Sequence, residues 1–349
     1  MARSKPAGPR LDLRRGTVDL THGAGGKASA QLFDEIFRPA FDNPTLDCAD
    51  DQAGFAGSGR MVTATDAHVV SPLFFPGGDI GCLAVHGTIN DVAMGGAVPK
   101  VLTAAFILEE GFPLSDLKRI ADSMGQAAKA AGVPIIAGDT KVVERGKGDG
   151  VFITTTGIGA IDDTVANPPA AHRLQVGDAL LLSGPVGAHG VTILAARNDL
   201  PFSAPIESDT APLHSLVAAL MAEVDDVHCL RDPTRGGLAT AIVELCLSAG
   251  VGAILQEGAI PIARPVAAAC EVLGVDPLYL ANEGKLIAAV PGGRAEAALA
   301  AMRRHPLGAE AALIGRVTDA APGDVRLETA MGGFRQVDRL AGDPLPRIC

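Results

Sequence analysis

Residues 114–141, LSDLKRIADSMGQAAKAAGVPIIAGDTK, decide how the chain is read. Leu117, Ile120, Met124, Ala128 and Ala131 recur at spacings of three and four, the apolar stripe of a helix over 114–131. Pro113 pre-sets its first turn, Asp116 suits the positive end of its dipole, and Gly132 and Pro134 end it. The apolar run 133–137 follows as a buried strand that delivers Gly138-Asp139-Thr140-Lys141 at its end. A helix feeding directly into a buried strand is the repeating step of a layered α and β architecture.

The same alternation runs outward. Upstream, residues 61–65 read as a strand ending at Asp66, and 80–94 as a helix apolar almost all round, stopped by Gly95-Gly96. Thr21-His22-Gly23-Ala24-Gly25-Gly26-Lys27 is a glycine-rich loop before a helical pattern with Leu32, Phe33, Ile36 and Phe37. Downstream, 152–159 reads as a strand and 161–172 as a linker. A second half follows, with a strand over 179–183 and helices near 189–197, 210–223, 237–249 and 293–303. The division expected is a basic leader over 1–20, an N-terminal domain over 21–165, a C-terminal domain over 170–342 and an extended arm over 343–349.

Composition narrows the function. A net charge of −11 gives no counterion-release drive toward nucleic acid and repels an anionic membrane surface. Aromatics at 3% with no Trp argue against base-stacking platforms. The Arg-rich leader lacks a hydrophobic segment after it, so no secretory signal is expected. Six scattered cysteines without a CxxC read as reduced thiols of a cytoplasmic protein, with Cys246 and Cys270 as small core residues. Cys349 differs: it is the last residue, on an arm with two prolines.

Several constellations carry chemistry. The glycine loop lets backbone N–H groups of Gly23, Gly25 and Gly26 approach an anion, with Lys27 beside them. Asp50-Asp51, Asp66, Asn90-Asp91 and Asp139 stand at element ends or, for Asn90-Asp91, within an apolar helix. A carboxylate buried there needs a cation or donors. Mg²⁺ on nucleotide phosphates is one such cation, and Lys141 offers a point charge for phosphate. Arg235-Gly236-Gly237 before a helix is a second candidate anion pocket, and Asn282-Glu283-Gly284-Lys285 a second polar cluster.

These motifs resemble one family. His22-Gly23-Ala24-Gly25-Gly26, Thr65-Asp66, Gly87-Thr88-Ile89-Asn90-Asp91 and Gly138-Asp139-Thr140-Lys141, with Asn282-Glu283-Gly284-Lys285 and the terminal Pro346-Arg347-Ile348-Cys349, resemble the HypE carbamoyl dehydratases of NiFe-hydrogenase maturation. The likeness spans nearly the whole chain after the leader. It implies a two-domain α+β fold like aminoimidazole-ribotide synthetase, with the N-terminal sheet pairing across a homodimer. It implies Mg-ATP held by Gly23, Gly25, Gly26, Lys27, Asp66, Asn90, Asp91, Asp139, Arg235, Gly236 and Gly237. The metal would rest on Asp51 (or its neighbour Asp50), Asp66, Asp91 and Asp139. It further implies that Cys349, S-carbamoylated by a HypF-type carbamoyltransferase, is dehydrated to S-cyanocysteine near Lys141 and Glu283. The cyano group then passes to a HypC–HypD complex. Two alternatives stand beside this: a kinase or synthetase of the same superfamily acting on a diffusible small molecule, and a non-catalytic carrier.

Overall fold

The computed structural model describes residues 10–46, 52–198, 206–340 and 347–349. The first half is built on a four-stranded sheet of β1 (Arg60–His68), β6 (Val151–Ile161), β4 (Val98–Glu109) and β5 (Ile135–Val143), in that order. β4 and β5 run parallel and the other pairs antiparallel. Helices α3 (Ile80–Met94) and α4 (Leu114–Ala131) lie together beside the sheet. The α4 stripe is as expected: Leu117, Ile120 and Met124 are fully buried, and Gly132 closes the helix at φ 70°. Asp79 caps α3, accepting hydrogen bonds from the N–H groups of Gly81 (2.7 Å) and Cys82 (3.1 Å). α3 is apolar all round because it is enclosed all round: its sides meet the sheet, α4 and the second half.

Two strands overrun the ends read from sequence. β1 continues through Asp66 to His68, and β5 through Gly138–Lys141 to Val143, so both motifs lie within strands. The leader is also more than a leader. Val18 is buried and exchanges hydrogen bonds with Phe112 and Gly111 (both 2.8 Å), which ties residues 11–18 into the N-terminal half. A further helical run, α1 (Gly26–Leu32), a π turn and α2 (Arg38–Phe41), presents Leu32, Ile36 and Phe37 to the same core.

The second half carries a seven-stranded sheet ordered β13-β12-β9-β11-β7-β10-β8. Its strands are β7 (Asp178–Leu182), β8 (Cys229–Arg231), β9 (Gly252–Gln256), β10 (Ile287–Pro291), β11 (Ala312–Thr318), β12 (Val325–Glu328) and β13 (Phe334–Val337). Helices α5 (Ala188–Arg197), α6 (His214–Glu223), α7 (Gly237–Ala249) and α9 (Ala295–Arg304) match the expected stretches, although α6 starts four residues late. Helix α8 (Arg264–Leu273) and the β12–β13 hairpin were not anticipated; the hairpin continues the sheet beyond Val317. Cys229, Cys246 and Cys270 are buried in its cores.

Candidate active site

The glycine loop and the β5 motif meet at one edge of the N-terminal sheet. Asp19 starts a 3-10 turn, Leu20–Gly23, whose Gly23 lies against β5 so closely that a Cβ would be 2.4 Å from the Val142 nitrogen. Gly25 and Gly26 sit at φ 81° and 80°, with open space where a side chain would point. The Gly25 N–H donates to the Ser29 hydroxyl (2.9 Å), and Gly26, at the start of α1, is the loop position that presents its backbone to the open space. A cavity of 220 Å³ opens beside the loop, walled by Phe33, Phe37, Phe41, Leu46 and Phe106 at its apolar end and by His22, Gly23, Gly25, Asp139 and Lys141 at its polar end. Lys141 Nζ bonds both oxygens of Asp139 (3.0 and 2.9 Å), which holds that exposed carboxyl below the usual range. Lys27 is exposed and does not line the cavity.

A second cluster forms at the opposite edge, where β1 and α3 face the second half. Asp66 and Asp91 come together there with Asp232 and Glu283, each of the three aspartates raising the pKa of a neighbouring carboxyl. Burial, then repulsion from Asp232 and Asp66, pushes the Asp91 carboxyl up to about 7. Burial drives Asp232 to about 6 and Glu283 well above the carboxylate range, with Arg231 and Arg235 only partly offsetting the field at the aspartates. Glu283 is 3% exposed and its Oε1 has no hydrogen-bond partner among the described residues. Asp209 fixes the loop by accepting hydrogen bonds from the Glu283 N–H (3.1 Å) and from Lys285 Nζ (3.0 Å).

Clustered, mutually repelling carboxylates and an orphaned buried oxygen are what a divalent cation would relieve, so the donor set suits Mg²⁺ arriving with phosphate oxygens and water. Among the described residues, no three His, Cys, Asp or Glu side chains converge closely enough to hold the ion unaided.

The structure redistributes the residues singled out in the sequence. Asp66 pairs with Thr155, whose hydroxyl bonds the α3 backbone at Ala84, so Asp66 faces the helices. Asp139 pairs with Ala105 and Lys141 with Ile107, both on the exposed face. Within one chain Asp139 therefore lies at the opposite edge and on the opposite face of the sheet from Asp66, while Asp91 stays with Asp66. Asn90, expected to touch nucleotide, is instead used up by protein. Its amide donates to the carbonyls of Ala211 (3.0 Å) and Glu283 (3.4 Å) and accepts from the Leu213 N–H (2.7 Å), stapling α3 to the second half. Gly236 and Gly237 sit at φ 73° and 63°, and a Cβ on Gly237 would be 2.6 Å from two carbonyl oxygens. Their observed work is to let α7 start against residues 278–280; Arg235 remains exposed beside the acidic cluster. Asp50 and Asp51 lie outside the described residues.

The chain's last three residues return to this region. The Cys349 main-chain oxygen accepts from the Val69 N–H (2.9 Å), three residues past Asp66, and the Arg347 carbonyl accepts from the Ser71 N–H (3.2 Å). Ile348 is buried in the N-terminal core cluster, which also takes in Ile193 and Ala281 from the second half, and Cys349 is half-buried against it. Arg347 pairs with Asp149, and Arg197 bonds the carbonyls of Ser71 and Arg347.

Residues 49–161 match the N-terminal domain family of AIR synthase related proteins, and 175–328 the C-terminal one. The carbamoyl dehydratase HypE of Azotobacter vinelandii is 59% identical over 345 residues, covering 97% of this chain and 99% of its own. The chain belongs to the HypE family. A crystal structure of HypE in complex with ATP superimposes with a TM-score of 0.91 at 49% identity, covering 95% of this chain and 99% of the other. A HypE–HypF complex structure gives 0.78 at 47% identity, covering 88% and 99%. These likenesses bear out the two-domain α+β fold.

In this HypE-family chain, sequence reading missed Asp209, His68 and His189 as site residues. His68 carried a signal, since it shares the β1 face of Asp66 two residues away and its Nε2 lies 3.4 Å from the Asp66 carboxylate. Asp209 and His189 carried none, being brought in by loops and by a helix of the other half.

Proposed function

We propose that this chain is an ATP-dependent carbamoyl dehydratase, converting an S-carbamoyl group on Cys349 to S-cyanocysteine for the CN ligand of NiFe-hydrogenase. The observation that carries the reading is the inward seat of Cys349, bonded to the strand end that bears Asp66 and packed with the core beside the Glu283 loop. A thiol meant only for solvent has no reason to bring its neighbour Ile348 to 6% exposure. The carbamoyl group would come from a HypF-type carbamoyltransferase and the cyano group would leave to a HypC–HypD complex, in the cytoplasm; a HypE relative crystallised with HypF supports the first partner.

The chemistry follows from the residues. The carbamoyl oxygen attacks the γ-phosphorus of ATP, ADP leaves with the broken P–O bond, and one nitrogen proton is released, giving an O-phosphoryl imidate. Removal of the remaining nitrogen proton expels phosphate and leaves S–C≡N. Glu283, a carboxyl whose proton affinity is raised by burial, suits that second proton transfer. Lys141 supplies positive charge to the transferring phosphoryl group, and the N–H of Gly26, at the start of α1, donates to the remaining phosphates. Asp66, Asp91 and Asp232 would hold Mg²⁺, which when bound neutralises charge on the phosphates. Closure of the two halves around the tail keeps water from the imidate.

This assignment requires two chains. Glu283 and Lys141 belong to patches at opposite edges of one sheet, and the open face between them is lined by Thr63, Thr65, Ala67, Thr154, Ala105 and Ile107, small or apolar and unlike a solvated surface. A homodimer that packs these faces together about a two-fold axis running along the strands would set the Lys141 edge of one chain against the Asp66 edge of its partner. Mass spectrometry of the C-terminal peptide tests the activity. Carbamoylated protein with Mg-ATP loses the mass of one water, and Cys349→Ala binds ATP but gives no product. An unchanged carbamoyl mass in the wild-type chain would overturn the reading.

A further inference from the structure

His189 lies in α5, fully buried, with each ring nitrogen engaged. Nε2 is 2.7 Å from the carbonyl oxygen of Ile348, and a carbonyl can only accept, so Nε2 carries the proton. Nδ1 is therefore the acceptor, and the Ser208 hydroxyl, 2.8 Å away, donates to it. Ser208 Oγ in turn accepts from the Thr210 N–H (3.2 Å), so every hydrogen in the chain is assigned by elimination. The ring also stands edge-on to Phe75, with centroids 5.6 Å apart, which locks its plane. Burial keeps the imidazole neutral, as this tautomer requires. Next to Ser208, Asp209 holds the Glu283 backbone and Lys285.

We infer that His189 is a positioning residue, a neutral imidazole clasp that grips the docked tail by the Ile348 carbonyl and links it through the Ser208–Asp209 turn to the loop carrying Glu283. The grip falls on the residue next to Cys349, so it sets where the thiol and its cargo sit without touching either. Because the contact is to main chain, the clasp holds a tail whatever group Cys349 bears.

The inference rests on the dehydratase reading only for its rate measurement, so docking is measured separately. Carboxypeptidase release of Cys349 from the full-length chain reports docking; the C-terminal peptide mass, followed in time, reports dehydration. His189→Asn keeps an amide near the Nδ1 position but none at Nε2, whereas His189→Gln places an N–H donor near Nε2. Loss of one buried hydrogen bond predicts release of Cys349 about tenfold faster in His189→Asn and His189→Ala. Dehydration should slow by a similar factor with the KM for ATP unchanged, and His189→Gln should restore both. Unaltered release and dehydration in His189→Asn, or a Gln variant as defective as Ala, would overturn the clasp. So would a rise in the ATP KM equal to the fall in rate. If release responds as stated while even the wild-type chain fails to dehydrate its cargo, the clasp stands and the dehydratase reading falls.

Discussion

Replacing Asp91 by Asn should make the nucleotide-free protein more stable while disabling it. The folded chain holds the Asp91 proton up to a pKa of about 7, against an ordinary value of 3.8 in the unfolded chain. Between those values the native state binds more protons than the unfolded state, so wild-type stability falls as pH rises from about 4 to about 7. A gap of roughly three pH units corresponds to about 4 kcal/mol, of which about 2.5 kcal/mol is lost between pH 5 and 7. Asparagine keeps the shape and cannot ionise. It also lifts the repulsion that Asp91 exerts on Glu283. Thermal unfolding without nucleotide, run from pH 5 to 8, should show the variant's advantage growing with pH, to about 5 °C at the alkaline end. With Mg-ATP present the order reverses: the wild type gains stability and the variant gains little, and turnover drops about a hundredfold or more. Parallel pH curves for the two proteins would refute the argument, because they would mean that Asp91 titrates in the folded chain as it does in the unfolded one.

Two further outcomes are expected. Asn90→Ala strips a buried N–H of Leu213 and two carbonyls of their partner and should lower stability by about 2–4 kcal/mol whether or not ATP is present, which denaturant unfolding with and without nucleotide would show. If the active site is shared between chains, Asp66→Asn and Lys141→Ala proteins, each inactive alone, should recover about a quarter of wild-type turnover after subunit mixing, since half of the dimers then carry one intact site. No recovery after confirmed exchange would place both residues in the same site of one chain.

The layered fold was legible because its decisive segments are periodic. The α4 stripe and the run after Gly132 give helix and strand without tertiary information, and Pro113 and Gly132 punctuate them. Strand ends were less legible, since Gly138 and Asp139 look like turn residues and yet continue β5 under pairing from β4. The site was half legible. Glycine spacing and a carboxylate within an apolar helix drew attention to segments that form the two patches, but Asn90 beside Asp91 shows the limit. Adjacent helix positions point to different surroundings, so one belongs to the acidic cluster while its neighbour ties the two halves together. Which edge of the sheet a motif occupies depends on strand order, and nothing local in sequence encodes that.

Ile348 leaves a thermodynamic mark on delivery. Its side chain shares a core with residues from both halves of the molecule, so a cargo that departs with the tail must first drag this isoleucine back into water, at about 1.5–3 kcal/mol. Whatever accepts the finished group has to offer the isoleucine another dry seat, and a receiver that does so draws out the cargo without any signal from the nucleotide.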